Sequence, residues 1–193
     1  MSMLLRLLPA LFLALCLPAH ANWHLDGESS RLSFITGNNG DTADVQRFLV
    51  LHGTIDRKGA AGLSIEMDSV SSGIPLRDER MRDGLFEVAR FPEATVSAQL
   101  DLRPVSDLAN GAQLELRLPV TVTLRDQSHT YNALLLVTRL DERRFQVVTL
   151  EPLVLQAQDF DLLPSLETLR SFAGLKSINP SVPVNAVLIF TAR

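Results

Sequence analysis

Along most of this chain apolar and polar residues alternate one by one. Gln113 to Leu124 reads QLELRLPVTVTL, with Leu114, Leu116, Leu118, Val120, Val122 and Leu124 on one side and Gln113, Glu115, Arg117, Thr121 and Thr123 on the other. A period of two gives a β-strand one dry face and one wet face. Ala94, Val96, Ala98, Leu100 and Leu102 repeat the pattern, as do Leu63, Ile65 and Met67, and Val182, Val184, Ala186, Leu188 and Phe190. Pro119 and Pro183 fall inside such runs and predict an edge position or a bulge, because proline cannot donate to a ladder. Further strands are expected near 31–36, 46–55, 131–140, 145–149 and 153–157. Turn-forming clusters separate them: Gly37-Asn38-Asn39-Gly40, Asp56-Arg57-Lys58-Gly59, Asn110-Gly111 and Asp141-Glu142. About ten short strands at this spacing predict an all-β sandwich or barrel. Two short helices interrupt them, one over about 76–84 and one from Pro164 to about Ala173, ended by Gly174. Alternation by itself does not choose between sandwich and barrel, since both bury one face of every strand.

The N-terminus reads as a secretory leader over residues 1–21. Arg6 is followed by the apolar run Leu7 to Leu17 and by Ala19-His20-Ala21, an A-x-A cleavage site. The run is too short to span a bilayer. Leu13-Ala14-Leu15-Cys16 resembles a lipobox, but Leu15 stands where a small residue is wanted, so cleavage after Ala21 is the expectation. Of 193 residues, removing 21 leaves 172, which suits one domain over 22–193. The expected location is the periplasm or outside the cell. Cys16 leaves with the leader, so the mature chain has no disulfide framework, thiol nucleophile or Cys-bound metal.

The formal net charge of the whole chain is −4, and the leader takes one base and no acid, so the mature value is −5. Lysine occurs only at Lys58 and Lys176. Such a chain lacks the clustered cations that nucleic acid or an anionic membrane surface requires. No metal site is expected, since His24, His52 and His129 stand far apart without an H-x-H or HExxH spacing. G-x-S-x-G, G-x-G-x-x-G and P-loop patterns are missing. Asp78 with Glu79, and Asp159 with Asp161, are too close in sequence to face each other as an acid/base couple. The residues call for neither catalysis nor a cofactor.

The stretch Ser69 to Val96 is the most distinctive part of the chain. A strand ends there, the chain breaks at Gly73 and Pro75, a charged helix follows, and Phe91-Pro92 leads into the next strand. The run Ser69, Gly73, Arg77, Asp78 and the pair Phe86 and Phe91-Pro92 resemble the signature of the YceI-like family. The likeness extends from Trp23-His24-Leu25-Asp26 and Phe34 through Phe48 and Gly53 to Asp159-Phe160. The chain departs from the family pattern at Leu116-Arg117-Leu118-Pro119-Val120 and at Gln156 to Asp161. The resemblance implies an antiparallel lipocalin-like β-barrel of eight or more strands, with a short helix capping one end and a second near the C-terminus. It also implies a hydrophobic lipid ligand of polyisoprenoid type: an isoprenoid quinone, a prenyl phosphate or a fatty amide.

On that reading Phe34, Phe48, Ile65, Met67, Phe86, Phe91, Val96, Leu116, Leu118 and Val120 are the expected apolar lining. Arg77, Asp78 and Arg80 are the expected headgroup residues at the mouth. Strand parity alone equally allows these leucines, valines and aromatics to fill a solid core. Arg77 and Asp78 equally suit a structural role, pinning the helix over the barrel end. Two rival functions remain: an envelope interaction protein with a filled core, serving a membrane redox partner, or a barrel isomerase or cyclase with His52 in its lumen. A homodimer is open on the resemblance.

Overall fold

The structure, a computed structural model, describes residues 22–192. The expected leader, Cys16 included, lies outside the described residues.

The strands are β1 (Trp23–Leu25), β2 (Arg31–Asn38), β3 (Thr42–Phe48), β4 (Leu51–Ile55), β5 (Ala60–Glu66), β6 (Val70–Ser71), β7 (Glu93–Gln99), β8 (Gln113–Leu124), β9 (Gln127–Arg139), β10 (Arg144–Thr149), β11 (Leu153–Gln156) and β12 (Ser181–Ala192). Several are halves of one interrupted stave: β1 with β2, β3 with β4, β5 with β6, and β10 with β11. Counted this way, eight antiparallel staves follow one another as an up-and-down meander. The last stave returns to the first, with Trp23 opposite Ala192 and Val184 opposite Phe34. Closure removes the long free edges of an open sheet and leaves only short one-sided stretches, such as the first half of β8 and the strands β6 and β11.

Both prolines sit where one ladder stops. Pairing of β8 with β7 covers Val120 to Thr123 and stops at Val120, one residue after Pro119. Pairing of β12 with β2 ends at Val184, one residue after Pro183. Each missing N–H therefore falls where a neighbouring strand has departed.

Tight turns fix the register. Gly59 has φ 83°, and a Cβ there would stand 2.1 Å from the Leu100 carbonyl oxygen, so no other residue fits. Asp56 completes that turn by accepting from the backbone N–H of Lys58 and Ala60. The two-residue β8–β9 turn, Arg125-Asp126, has φ 51° and 61°, the double left-handed conformation that matches strand twist.

The helix α1 (Pro75–Arg80) begins where expected but does not continue as α-helix. Residues Met81–Phe86 wind as a π-helical segment that ends at Glu87 with φ 51°. Its wider turn places Met81, Leu85 and Phe86 together on the buried side, where an α-helix would splay them. A short helix that strand alternation does not predict, α2 (Arg103–Ser106), follows β7 with Pro104 in its first turn. The third, α3 (Leu163–Ala173), stops at Gly174 with φ 65°. The π-segment and α3 share one end of the barrel, tied by Arg125, whose guanidinium donates to the Leu85 carbonyl and to Ser165 Oγ and pairs with Glu87.

Candidate functional site

The barrel is hollow under this lid and filled below it. A cavity of about 400 Å³ opens between α1, the β2–β3 hairpin and residues 175–179. That volume lies within the range of small-molecule sites, ~300–1,000 Å³. Its floor and walls come from the inward faces of the strands: Leu32, Phe34, Phe48, Ile65, Met67, Ala94, Val96, Val122, Leu124, Val182 and Val184. Its roof comes from Met81, Leu85 and Phe86 and from Leu166 and Leu169 of α3. Phe34 and Phe48 stack with centroids 5.3 Å apart, and Phe48 meets Phe86 at 5.8 Å. Below, Leu118, Val120 and Ala133 form a separate solid cluster, and the far end is closed by Trp23 against Phe145 at 4.6 Å.

The mouth is more polar and has a greasy rim. Thr36, Asn38, Gln46, Arg77, Arg80, Gln156 and Asn179 border the cavity there. Arg77 pairs with Asp44 at 2.9 Å, and Asp44 also accepts from Asn38 at 3.0 Å. Arg80 lies 5.4 Å from the ring centre of Phe172 and donates to its carbonyl. Ile74, Leu76 and Phe172, exposed by 48%, 56% and 66%, stand around this opening.

Of the residues expected from the sequence, Phe34, Phe48, Ile65, Met67, Phe86, Val96, Arg77 and Arg80 border the cavity. Five do not. Leu118 and Val120 belong to the solid lower cluster, with Leu116 packed against it. They face inward as strand parity requires, but they sit further down the staves, where they pack against Ala133, Ala98 and Leu135 instead of bordering the cavity. Phe91 lies outside, between Arg90 and Arg125 at 4.9 and 5.8 Å from their guanidinium carbons. Asp78 turns away from the opening and accepts from Ser72 N–H at 2.7 Å and Ser72 Oγ at 2.5 Å. His52, the candidate for a polar residue in the lumen, points outward and bonds to Glu66 Oε1 at 2.8 Å, with 61% of its side chain exposed. Sequence reading missed Gln46 and the α3 leucines. Counting by twos back from Phe48 would have found the first, and the 166/169 helical spacing the second.

A model of the YceI-like domain matches residues 23–190. The chain belongs to the YceI-like family. Its fold matches a polyisoprenoid-binding domain from Saccharophagus degradans implicated in plant cell-wall breakdown, with TM-score 0.87 and 37% identity over 89% of this chain and 98% of that one. It also matches Burkholderia cenocepacia BcnA, with TM-score 0.62 and 14% identity over 86% and 98% of the two chains. The YceI protein of Campylobacter jejuni aligns with TM-score 0.57 and 13% identity over 77% and 84%. No curated protein matches this YceI-like chain.

The signature residues of the YceI-like stretch have structural work. Ser69 Oγ accepts from the N–H of Leu49 and Val50, both at 3.1 Å, and donates to the Glu66 carbonyl at 2.6 Å. It thereby satisfies the backbone where the β3–β4 stave breaks. Gly73, at φ 79°, turns the chain into α1, and Asp78 holds that turn through Ser72. At the departure 156–161, Asp161 adopts φ 54°, a conformation that Asp tolerates better than most residues.

A cluster of three polar side chains beside the lid remains. Tyr131 Oη donates to Asp159 Oδ2 at 2.8 Å, and His129 approaches the same oxygen at 3.7 Å. Burial, reinforced by the Asp159 carboxylate, pushes the Tyr131 phenol up to about 12, so it is a hydrogen-bond donor and no base at neutral pH. Among the described residues no cluster of His, Cys, Asp or Glu could hold a metal ion, and no helix is long and apolar enough to cross a membrane.

Proposed function

We propose that this YceI-like protein is a binding protein of the bacterial envelope, exported by its leader, that shelters a lipid with a polyisoprenoid-type tail. The observation that carries this reading is the apolar cavity of about 400 Å³, open at one mouth and roofed by Met81, Leu85, Phe86, Leu166 and Leu169. Removing a methylene from water stabilises by about 0.8 kcal/mol, so each five-carbon isoprene unit contributes on the order of 4 kcal/mol before ordering costs. Ile74, Leu76 and Phe172 give an incoming tail apolar surface outside the mouth. The tail then loses its water along the Phe34–Phe48–Phe86 wall. Binding of this kind needs no bond to form or break, and the protein acts without turnover. The polyisoprenoid-binding relative from Saccharophagus degradans, at 37% identity, supports the ligand class.

The test is native mass spectrometry of the mature protein purified from periplasm without detergent, followed by solvent extraction. A stoichiometric adduct of isoprenoid or acyl mass is the expected result. An apo mass that persists after incubation with quinones and prenyl phosphates would sink the reading. The protein mass in the same spectrum reports whether the leader is removed near Ala21.

A further inference from the structure

One polar side chain in the cavity wall is not explained by packing. Gln46 lies on β3 directly across from Phe34 and two residues before Phe48, so strand parity puts all three on the inside. It is 3% exposed. Its Nε2 donates to Thr36 Oγ1 at 2.8 Å, while its Oε1 has no hydrogen-bond partner among the described residues. A buried acceptor without a donor is destabilising, and leucine would fill the same space without that cost. Gln46 also marks a seam. Toward the hairpin tip the inner face carries Thr36 opposite Asp44 and Asn38 opposite Thr42; away from it the pair is Leu32 and Phe48.

We propose that Gln46 reads the head of the ligand: an uncharged hydroxyl, carbonyl or carboxamide at the start of an apolar chain bonds to its carboxamide, and the chain continues past Phe34 and Phe48 beneath the lid. The inference deepens the lipid-sheltering reading and rests on it. In the orientation described, Oε1 accepts from an O–H or N–H. Turned over, the amide accepts from the Thr36 hydroxyl and offers Nε2 to a carbonyl, so donor and acceptor heads are both served. The head is uncharged because Arg77 is already paired with Asp44, the carboxylate that Asn38 also bonds, and Arg80, the other cation bordering the mouth, is held by the carbonyl and ring of Phe172. An anionic head beside Thr36 would meet that carboxylate.

The test uses the delipidated mature protein and three probes of one chain length: farnesol, the head-less hydrocarbon farnesene, and farnesyl phosphate. Farnesol should bind about three- to tenfold more tightly than farnesene, the worth of one neutral hydrogen bond. Gln46→Leu should remove that difference by weakening farnesol alone. Equal binding of farnesol and farnesene to the native protein, or equal weakening of both by Gln46→Leu, overturns the role of Gln46 and leaves lipid binding intact. Tighter binding of farnesyl phosphate than of farnesol overturns the uncharged head. If none of the three binds, the lipid reading itself fails and takes the inference with it. The comparison on the native protein needs no variant to fold.

Discussion

The same substitution placed in the two halves of the barrel should have opposite effects. Ala94 and Ala133 are both buried inward-facing alanines, 8% and 5% exposed, but Ala94 borders the cavity while Ala133 packs against Leu118 and Val120. Alanine to phenylalanine adds six carbons. At roughly 30 Å³ each, by analogy with the volume of a water, they need on the order of 180 Å³. The cavity of about 400 Å³ accommodates this beside Ala94. Six carbons taken from water are worth up to ~4–5 kcal/mol, from which rotamer ordering subtracts, so Ala94→Phe is expected to leave stability unchanged or raise it by about 1–2 kcal/mol. Beside Ala133 there is no such space. Overpacking by even a few methylenes costs about 1–3 kcal/mol, so Ala133→Phe should lose at least ~3 kcal/mol. For a domain of this size that is a fall in Tm of roughly 6–12 °C. Calorimetry on lipid-free protein is the assay, because bound lipid would raise every Tm by mass action. Farnesol binding is measured on the same samples and should be lost in Ala94→Phe. Comparable destabilisation by both variants would show that the barrel is filled throughout, and the reasoning from a hollow half would fail.

Gly59→Ala should cost ~3 kcal/mol or more in urea unfolding, because its Cβ meets a backbone carbonyl at 2.1 Å, whereas Gly73→Ala, with similar φ but open space, should cost only about 1–2 kcal/mol. Arg125→Met removes the ties to Leu85, Glu87 and Ser165 while keeping the stem; stopped-flow exchange should show faster lipid release, and an unchanged rate would mean that the lid is not what retains the ligand. Tyr131 is the one tyrosine in the chain, so phenolate absorbance titrates it alone. Its midpoint should lie near 12 in the folded protein and near 10 in the unfolded chain. Because folding holds the proton more tightly, stability is intact below about pH 10 and falls as pH rises toward 12; a midpoint near 10 with the fold retained would contradict the buried hydrogen bond to Asp159.

Period two in the sequence already specified which way each side chain points. The alternate residues Leu116, Leu118, Val120, Val122 and Leu124, Ala94, Val96 and Ala98, and Val182, Val184, Leu188 and Phe190 face inward on the parity read from the chain. Such parity is local: it follows from the pleat of one strand and needs no knowledge of its neighbours. The prolines marked the ends of ladders, and Gly174 the end of α3, for equally local reasons. The sequence was also distinctive enough around Ser69, Gly73, Arg77 and Asp78 to indicate the family, though not that Ser69 and Asp78 hold backbone turns while Arg77 borders the cavity.

Depth inside the barrel was decided only by tertiary structure. Val122 and Val120 share one strand, one face and one chemistry, yet the first borders the cavity and the second is solid core. What separates them is the set of side chains converging from other staves and from the lid, brought together by ring closure over long sequence distances. The π-helical turn that aims Met81, Leu85 and Phe86 downward, and the seam at Gln46 between a dry floor and a polar mouth, arise in the same way. Alternation along a strand tells a residue to leave water; whether it then meets another side chain or an empty space depends on the residues facing it across the barrel.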